Sequence, residues 1–161
     1  MLYLVRHGHA GDKRAWRGND RDRPLSATGR READGLVTLL RGYPIGTIVS
    51  SPAVRCSQTV RPLAAARRLP IRLDHLLEVG ADTGDVLARL YGSEHDEVVW
   101  CTHGELIGVL LDRLRRDGAP IGDRVEWPKG SVWLLELTAG AVRTATFLPP
   151  RRNARPPARR D

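Results

Sequence analysis

The chain opens on an apolar and aromatic run, Leu2-Tyr3-Leu4-Val5, that stops abruptly at Arg6. A run without polar alternation predicts a short strand over residues 1–5 that is buried on both faces. Helical spacing follows: Ser26 opens a helix in which Ala33, Leu36, Val37 and Leu40 recur until Gly42 and Pro44 end it. Residues 47–50 form the next strand. Ser51-Pro52 then reads as a helix start, with the serine capping free amides and the proline at the first helical position. That helix, residues 52–67, buries Ala53, Cys56, Val60, Leu63 and Ala64. A short strand over 70–73, a helix centred on residues 86–91 and a strand over 97–101 come next. Residues 105–116 carry apolar side chains almost all round a helix, which predicts cover on most sides. Segments 131–137 and 141–148 alternate, and Thr138-Ala139-Gly140 between them reads as the turn of a hairpin. Strands alternating with helices predict an α/β fold: a three-layer α/β/α sandwich with a mostly parallel central sheet and a C-terminal hairpin.

The 161 residues suit one domain, assigned to residues 1–148. Beyond it, PPRRNARPPARRD contains no large apolar residue and reads as a disordered Pro/Arg-rich tail over 149–161. No apolar run approaches the ~18 residues of a membrane span, and the amino terminus lacks a signal-peptide pattern, so the expected location is cytoplasmic. Cys56 and Cys101 belong to no C-x-x-C pair and read as buried, reduced thiols. A net charge of +7 points to an anionic partner: nucleic acid, membrane surface or phosphorylated substrate. Five arginines of that excess sit in the tail, and no stacking-aromatic or recognition-helix motif stands out. Polyanion binding is therefore the weaker alternative, with no specific nucleic-acid and no membrane partner expected.

Three segments place basic side chains at or just after the carboxyl end of an expected strand: Arg6 and His7, Arg55, and His103. In open α/β sheets that edge binds ligands, so these residues can converge although distant in sequence. Two arginines, two histidines and helix amino termini suit a phosphoryl group. Lys129-Gly130-Ser131 lacks the upstream glycine of a Walker loop, and Cys56 to Arg61 is one residue short of the C-x5-R of cysteine phosphatases. His7-x-His9 has no helix-spaced carboxylate partner, so no metal site is expected. His75 and His95 read as surface residues.

Leu4-Val5-Arg6-His7-Gly8 resembles the R-H-G signature of the histidine phosphatase, or phosphoglycerate mutase-like, superfamily. Ser51-Pro52-Ala53-Val54-Arg55-Cys56-Ser57-Gln58-Thr59 resembles its S-P-x-x-R-x-x-Q-T segment, Thr102-His103-Gly104 its second histidine, and Arg23-Pro24-Leu25-Ser26 with Gly29 its R-P-L-[ST]-x-x-G entry to the first helix. The resemblance spans residues 2–148, and small size without an inserted cap is similar to the SixA-type phosphohistidine phosphatase branch. Residues 11–25 and 129–133 are also similar to the phosphatase-like domain that follows the Nudix domain in certain mycobacterial MutT-type proteins; no Nudix segment is present in these 161 residues.

The resemblance implies a phosphatase without cofactor, acting on a phosphohistidine protein or small phosphorylated metabolite, or on a nucleotide or dinucleotide polyphosphate. His7 is the expected nucleophile, attacking phosphorus as a neutral imidazole and forming a phosphohistidine that water hydrolyses. Arg6 and Arg55 hold the non-bridging oxygens and lower the pKa of His7, and His103 donates to the phosphoryl group in the transition state. Glu78 matches the family's proton donor, with Asp82 and Glu105 as stand-ins. Gly8, Lys13 and Lys129 are the expected further substrate contacts. Retention of Arg6, His7, Arg55 and His103 argues against a catalytically silent member.

Overall fold

The computed structural model describes residues 1–92, 97–123 and 125–151. Six strands and four α-helices succeed one another as β1 (Leu2–Arg6), α1 (Ala27–Leu39), β2 (Thr47–Ser50), α2 (Val54–Arg67), β3 (Ile71–Leu73), α3 (Thr83–Gly92), β4 (Val98–Thr102), α4 (Gly104–Arg116), β5 (Val132–Thr138) and β6 (Ala141–Leu148). The sheet order is β3-β2-β4-β1-β5-β6, with the first four strands parallel and β5 and β6 antiparallel.

The unbroken apolar runs are explained by cover on both faces. Leu2 and Leu4 of β1, Val98 and Trp100 of β4, and Trp133 and Leu135 of β5 pack with α3 and α4. Their neighbours Tyr3, Val5, Val99, Cys101, Val132 and Leu134 pack with α1 and α2 on the other face. Both cysteines are buried and unbridged. The hairpin turn is Ala139-Gly140, both with positive φ, as a two-residue turn between twisted strands requires.

Two local readings change. α4 is covered on one side only: Leu106, Ile107, Leu110, Leu111 and Leu114 are buried, while Glu105, Val109, Asp112 and Arg116 face outward. Val109, 47% exposed, is the apolar residue that broadens the pattern without being buried. α2 begins at Val54 rather than Pro52, and its capping residue Ala53 has no side chain to offer; the Ser51 hydroxyl is engaged elsewhere. Pro150 and Arg151 still pack on the body, the carbonyl of Arg151 lying where any side chain at Gly35 would have to go. The tail from residue 152 onward and His95 lie outside the described residues. Among the described residues no helix is long and apolar enough to cross a membrane.

Candidate active site

Parallel register decides which side chains meet. Arg6 pairs with Thr102, and Ser50 with Cys101, so His7, His103 and Ser51, each the first residue past its strand, emerge side by side. Backbone bonds hold them there: His7 N–H donates to the Thr102 carbonyl at 3.0 Å and Ser51 N–H to that of Cys101 at 2.9 Å. The two imidazoles stand 5.3 Å apart at 67°. With Arg6 and Arg55 they line a cavity of about 560 Å³, shared with Lys13, Arg21, Arg23, Glu78, Glu105 and Lys129.

His7 Nδ1 lies 2.8 Å from the Gly8 carbonyl. A carbonyl only accepts, so Nδ1 carries the ring proton and Nε2 keeps its lone pair. Burial, more than charge, keeps the ring neutral: desolvation is the largest cause lowering its pKa to about 3, with His103, Arg55 and Arg6 adding to it and the Gly8 bond opposing. Gly8 is thus a support for His7; its own N–H donates to Thr59 Oγ1 at 2.9 Å, and it does not line the cavity.

Arg55 is nearly fully buried and makes three contacts: Nη1 to the Asp20 carbonyl at 2.6 Å, Nη2 to Asp20 Oδ2 at 3.1 Å, and Nη2 to His103 Nδ1 at 3.3 Å. Arg6 donates from Nη1 to the Trp127 carbonyl at 2.7 Å. Its guanidinium lies flat over Gly104, which explains the glycine after His103: a Cβ there would stand 2.7 Å from Cζ and Nε. Among the described residues the Nε atoms of Arg6 and Arg55 are buried without a hydrogen-bond partner. Gly29 plays a similar packing role, since the His9 carbonyl would be 2.0 Å from a Cβ there. His9 itself turns to Ser26 Oγ at 2.7 Å and so does not join His7 as a ligand pair.

The long loop hides site residues that the sequence pattern did not disclose. Residues Asp20–Asp22 form a 3-10 turn capped by the Asn19 side chain. The turn sets Asp20 between Arg55 and Arg23, the latter donating from Nε to Asp20 Oδ1 at 2.9 Å and from Nη1 to the Ala10 carbonyl at 2.6 Å. Burial pushes the Asp20 pKa up, but the Arg23 hydrogen bond and the charges of Arg55, Arg23 and Lys13 outweigh it, and the net shift is downward. The alternating Asp20-Arg21-Asp22-Arg23 run was the available signal. It lacks any apolar period and therefore reads as solvated loop.

Of the three candidate carboxylates, Glu78 and Glu105 line the cavity and Asp82 does not. Glu78 does line the cavity, yet Oε1 faces Arg21 Nε at 3.2 Å and Oε2 faces His75 Nδ1 at 2.9 Å. His75 itself is exposed, as expected. Asp82 lies outside the cavity lining and accepts from the Asp85 N–H at the start of α3. Glu105, in the first turn of α4, lines the cavity on the Arg6 side. Lys13 and Lys129 reach it from separate loops; burial, then Arg6 and Arg23, lower the Lys129 pKa.

Comparison with known proteins finds similarity to histidine phosphatases. Residues 2–79 match the histidine phosphatase superfamily (branch 1). Those residues make up just under half of the chain. The chain is 34% identical over 159 residues to an 8-oxo-(d)GTP phosphatase of Mycolicibacterium smegmatis, a match covering 92% of this chain and 48% of the relative, so the chain spans about half of that protein's length. Among solved structures, the protein histidine phosphatase SixA in complex with tungstate superposes with a TM-score of 0.75 at 23% identity, covering 94% of this chain and 96% of that one. A protein assigned as phosphohistidine phosphatase SixA from Agrobacterium tumefaciens gives 0.76 at 25% identity, covering 92% and 97%. The fold is SixA-type, and its three layers and terminal hairpin are those anticipated from the sequence.

Proposed function

We propose that His7 Nε2 attacks the phosphorus of a phosphohistidine protein or small phosphorylated metabolite, in line with the departing group. The P–N or P–O bond of the substrate breaks with its electron pair going to the leaving group, and an N–P bond forms on His7. Water then attacks the phosphohistidine, releasing inorganic phosphate and restoring the imidazole. Arg6 and Arg55 hold the non-bridging oxygens through their guanidinium N–H groups, and His103 joins them as a further donor. The observation that carries this reading is the Nδ1–H bond of His7 to Gly8, which fixes the tautomer with Nε2 as the free nucleophile.

Leaving-group chemistry narrows the substrate. Both Glu78 oxygens are committed to bases, so we assign Glu78 to holding Arg21 and His75 rather than to proton delivery. With Glu78 so engaged, groups that depart easily, such as the imidazole of phosphohistidine, are served better than simple alkoxides. A second reading, cleavage of a phosphoanhydride in a nucleotide, is favoured by Lys13 and Lys129, which add positive charge to the cavity beyond the four central residues, and by the 8-oxo-(d)GTP activity named for the mycobacterial relative.

The test is a substrate panel of p-nitrophenyl phosphate, phosphohistidine protein, sugar phosphates and nucleotides, run with chelator, together with acid-quench trapping of phosphorylated enzyme. Turnover that survives chelation, with label on His7 and a loss of at least ~10³-fold in His7→Ala, supports the assignment. Metal-dependent turnover indifferent to that substitution rejects it.

A further inference from the structure

We infer that Ser51 is a positioning residue for His103: its buried hydroxyl holds the Nε2 proton of that ring and thereby aims Nδ1 at the phosphoryl group. The inference rests on the reading of His103 as a phosphoryl donor and adds the residue that makes it one. Ser51 is fully buried, and its Oγ lies 2.9 Å from His103 Nε2. On the opposite edge of the ring, Arg55 Nη2 lies 3.3 Å from Nδ1. A guanidinium has no acceptor, so Nδ1 must accept and, in the neutral ring, the proton resides on Nε2. Nε2–H then donates to Ser51 Oγ, which also receives the Ala53 N–H at 3.3 Å.

This arrangement answers why Ser51 does not cap α2: its hydroxyl is spent on the ring. It also prepares the second state. A bound phosphoryl group draws the Arg55 donor to its own oxygens and leaves Nδ1 facing an anion. A proton shared between Nδ1 and a phosphoryl oxygen then joins ring and ligand, while Ser51 keeps the Nε2 proton. Removing the hydroxyl leaves Nε2–H facing Cys56 Sγ at 3.6 Å, a weak acceptor. The ring is then free to move its proton to Nδ1 in the empty site, or to turn over. A histidine held in the wrong tautomer is a costly defect in catalysis.

The experiment is long-range ¹H–¹⁵N correlation on protein labelled at histidine, empty and saturated with inorganic phosphate, for the wild type, Ser51→Ala and Ser51→Thr. The phosphate-free wild type should show His103 with Nε2 protonated and Nδ1 bare, and the phosphate form should keep the Nε2 proton. Ser51→Ala should lose the Nε2 preference and drop kcat/KM for p-nitrophenyl phosphate by ~10–100-fold, the usual scale for losing a partner that orients a functional histidine. Ser51→Thr, which keeps the hydroxyl, should restore the spectrum and most of the rate. A wild-type spectrum with Nδ1 protonated in the empty site, or with Nε2 bare in the phosphate complex, overturns the inference even if a variant fails to fold. So does a folded Ser51→Ala with an unchanged spectrum and rate. Trapped phosphohistidine on His7 in the same samples separates this failure from a failure of the nucleophile assignment.

Discussion

Replacing Gly104 by alanine should damage catalysis far more than folding. The residue opens α4 directly after His103, and a methyl group there would stand 2.7 Å from Arg6 Cζ and Nε and 2.8 Å from Nη2. Ordinary contact begins at 3.4 Å, so the guanidinium must retreat by about 0.7 Å to escape van der Waals overlap. The obstacle is the far end of a flexible side chain, and the backbone at Gly104 is not among those with positive φ. Alanine also favours the helix by up to ~1 kcal/mol over glycine. The melting temperature should therefore hold within a few degrees. The phosphoryl contact cannot absorb the shift: a charge-assisted bond of ~2.8 Å becomes one of ~3.5 Å, at the limit of hydrogen bonding. Losing one preorganised donor to a transition-state oxygen costs ~2.7–4 kcal/mol, or ~10²–10³-fold in rate. Steady-state kcat/KM on p-nitrophenyl phosphate beside a thermal melt measures both quantities. An alanine variant with kcat/KM within threefold of wild type would refute the placement of Arg6 on the transferred group.

Glu78→Gln should change kcat/KM by less than about threefold on both p-nitrophenyl phosphate and a sugar phosphate, because its oxygens already serve Arg21 and His75; a general acid would instead show ~10²-fold or greater loss confined to the alkyl substrate. Acid should destabilise the fold through His7. Its pKa is about 3 in the folded chain against an ordinary 6.5, so the unfolded state binds a proton that the folded state refuses between those values. Stability is then retained above pH 6.5 and lost as pH falls toward 3, by about 3 kcal/mol between pH 7 and pH 4. Urea titrations at the two pH values should show that difference shrinking in His7→Asn; an equal difference in variant and wild type would contradict it.

Much of this site could be read before any coordinates because its main residues follow strands that announce themselves. The runs before His7 and His103 are buried on both faces, so their apolar character is continuous and their ends are sharp. Contacts that depend on partners far along the chain were opaque. Asp20 and Arg23 sit in a loop whose charges look solvated until the 3-10 turn brings them to Arg55. Ser51 has every local mark of a helix cap, and only the neighbouring strand reveals that its hydroxyl serves His103. The cause of His7 neutrality is likewise only partly visible in the sequence: adjacent arginines can be read there, whereas burial, the larger effect, comes from the whole fold.

The register of three parallel strands explains why chemistry and recognition can separate in this protein. β2, β4 and β1 lie side by side, neighbours in such a sheet being ~4.8 Å apart. β1 and β4 end at the paired residues Arg6 and Thr102, and β2 one step earlier at Ser50 opposite Cys101, so the residue after each is fixed in height as well as in lateral position. His7, His103 and Ser51 thus owe their geometry to the stiffest part of the molecule. A one-residue slip of β4 would turn His103 to the opposite face of the sheet, and no loop movement could repair it. The segments around Lys13 and Asp20 carry no such constraint from the sheet, whereas that of Lys129 is tied to β1 through the Gly130 N–H; together they form the remaining walls of the cavity. Changes in those loops can alter which leaving group fits while the distance between the two imidazoles stays as the strands set it.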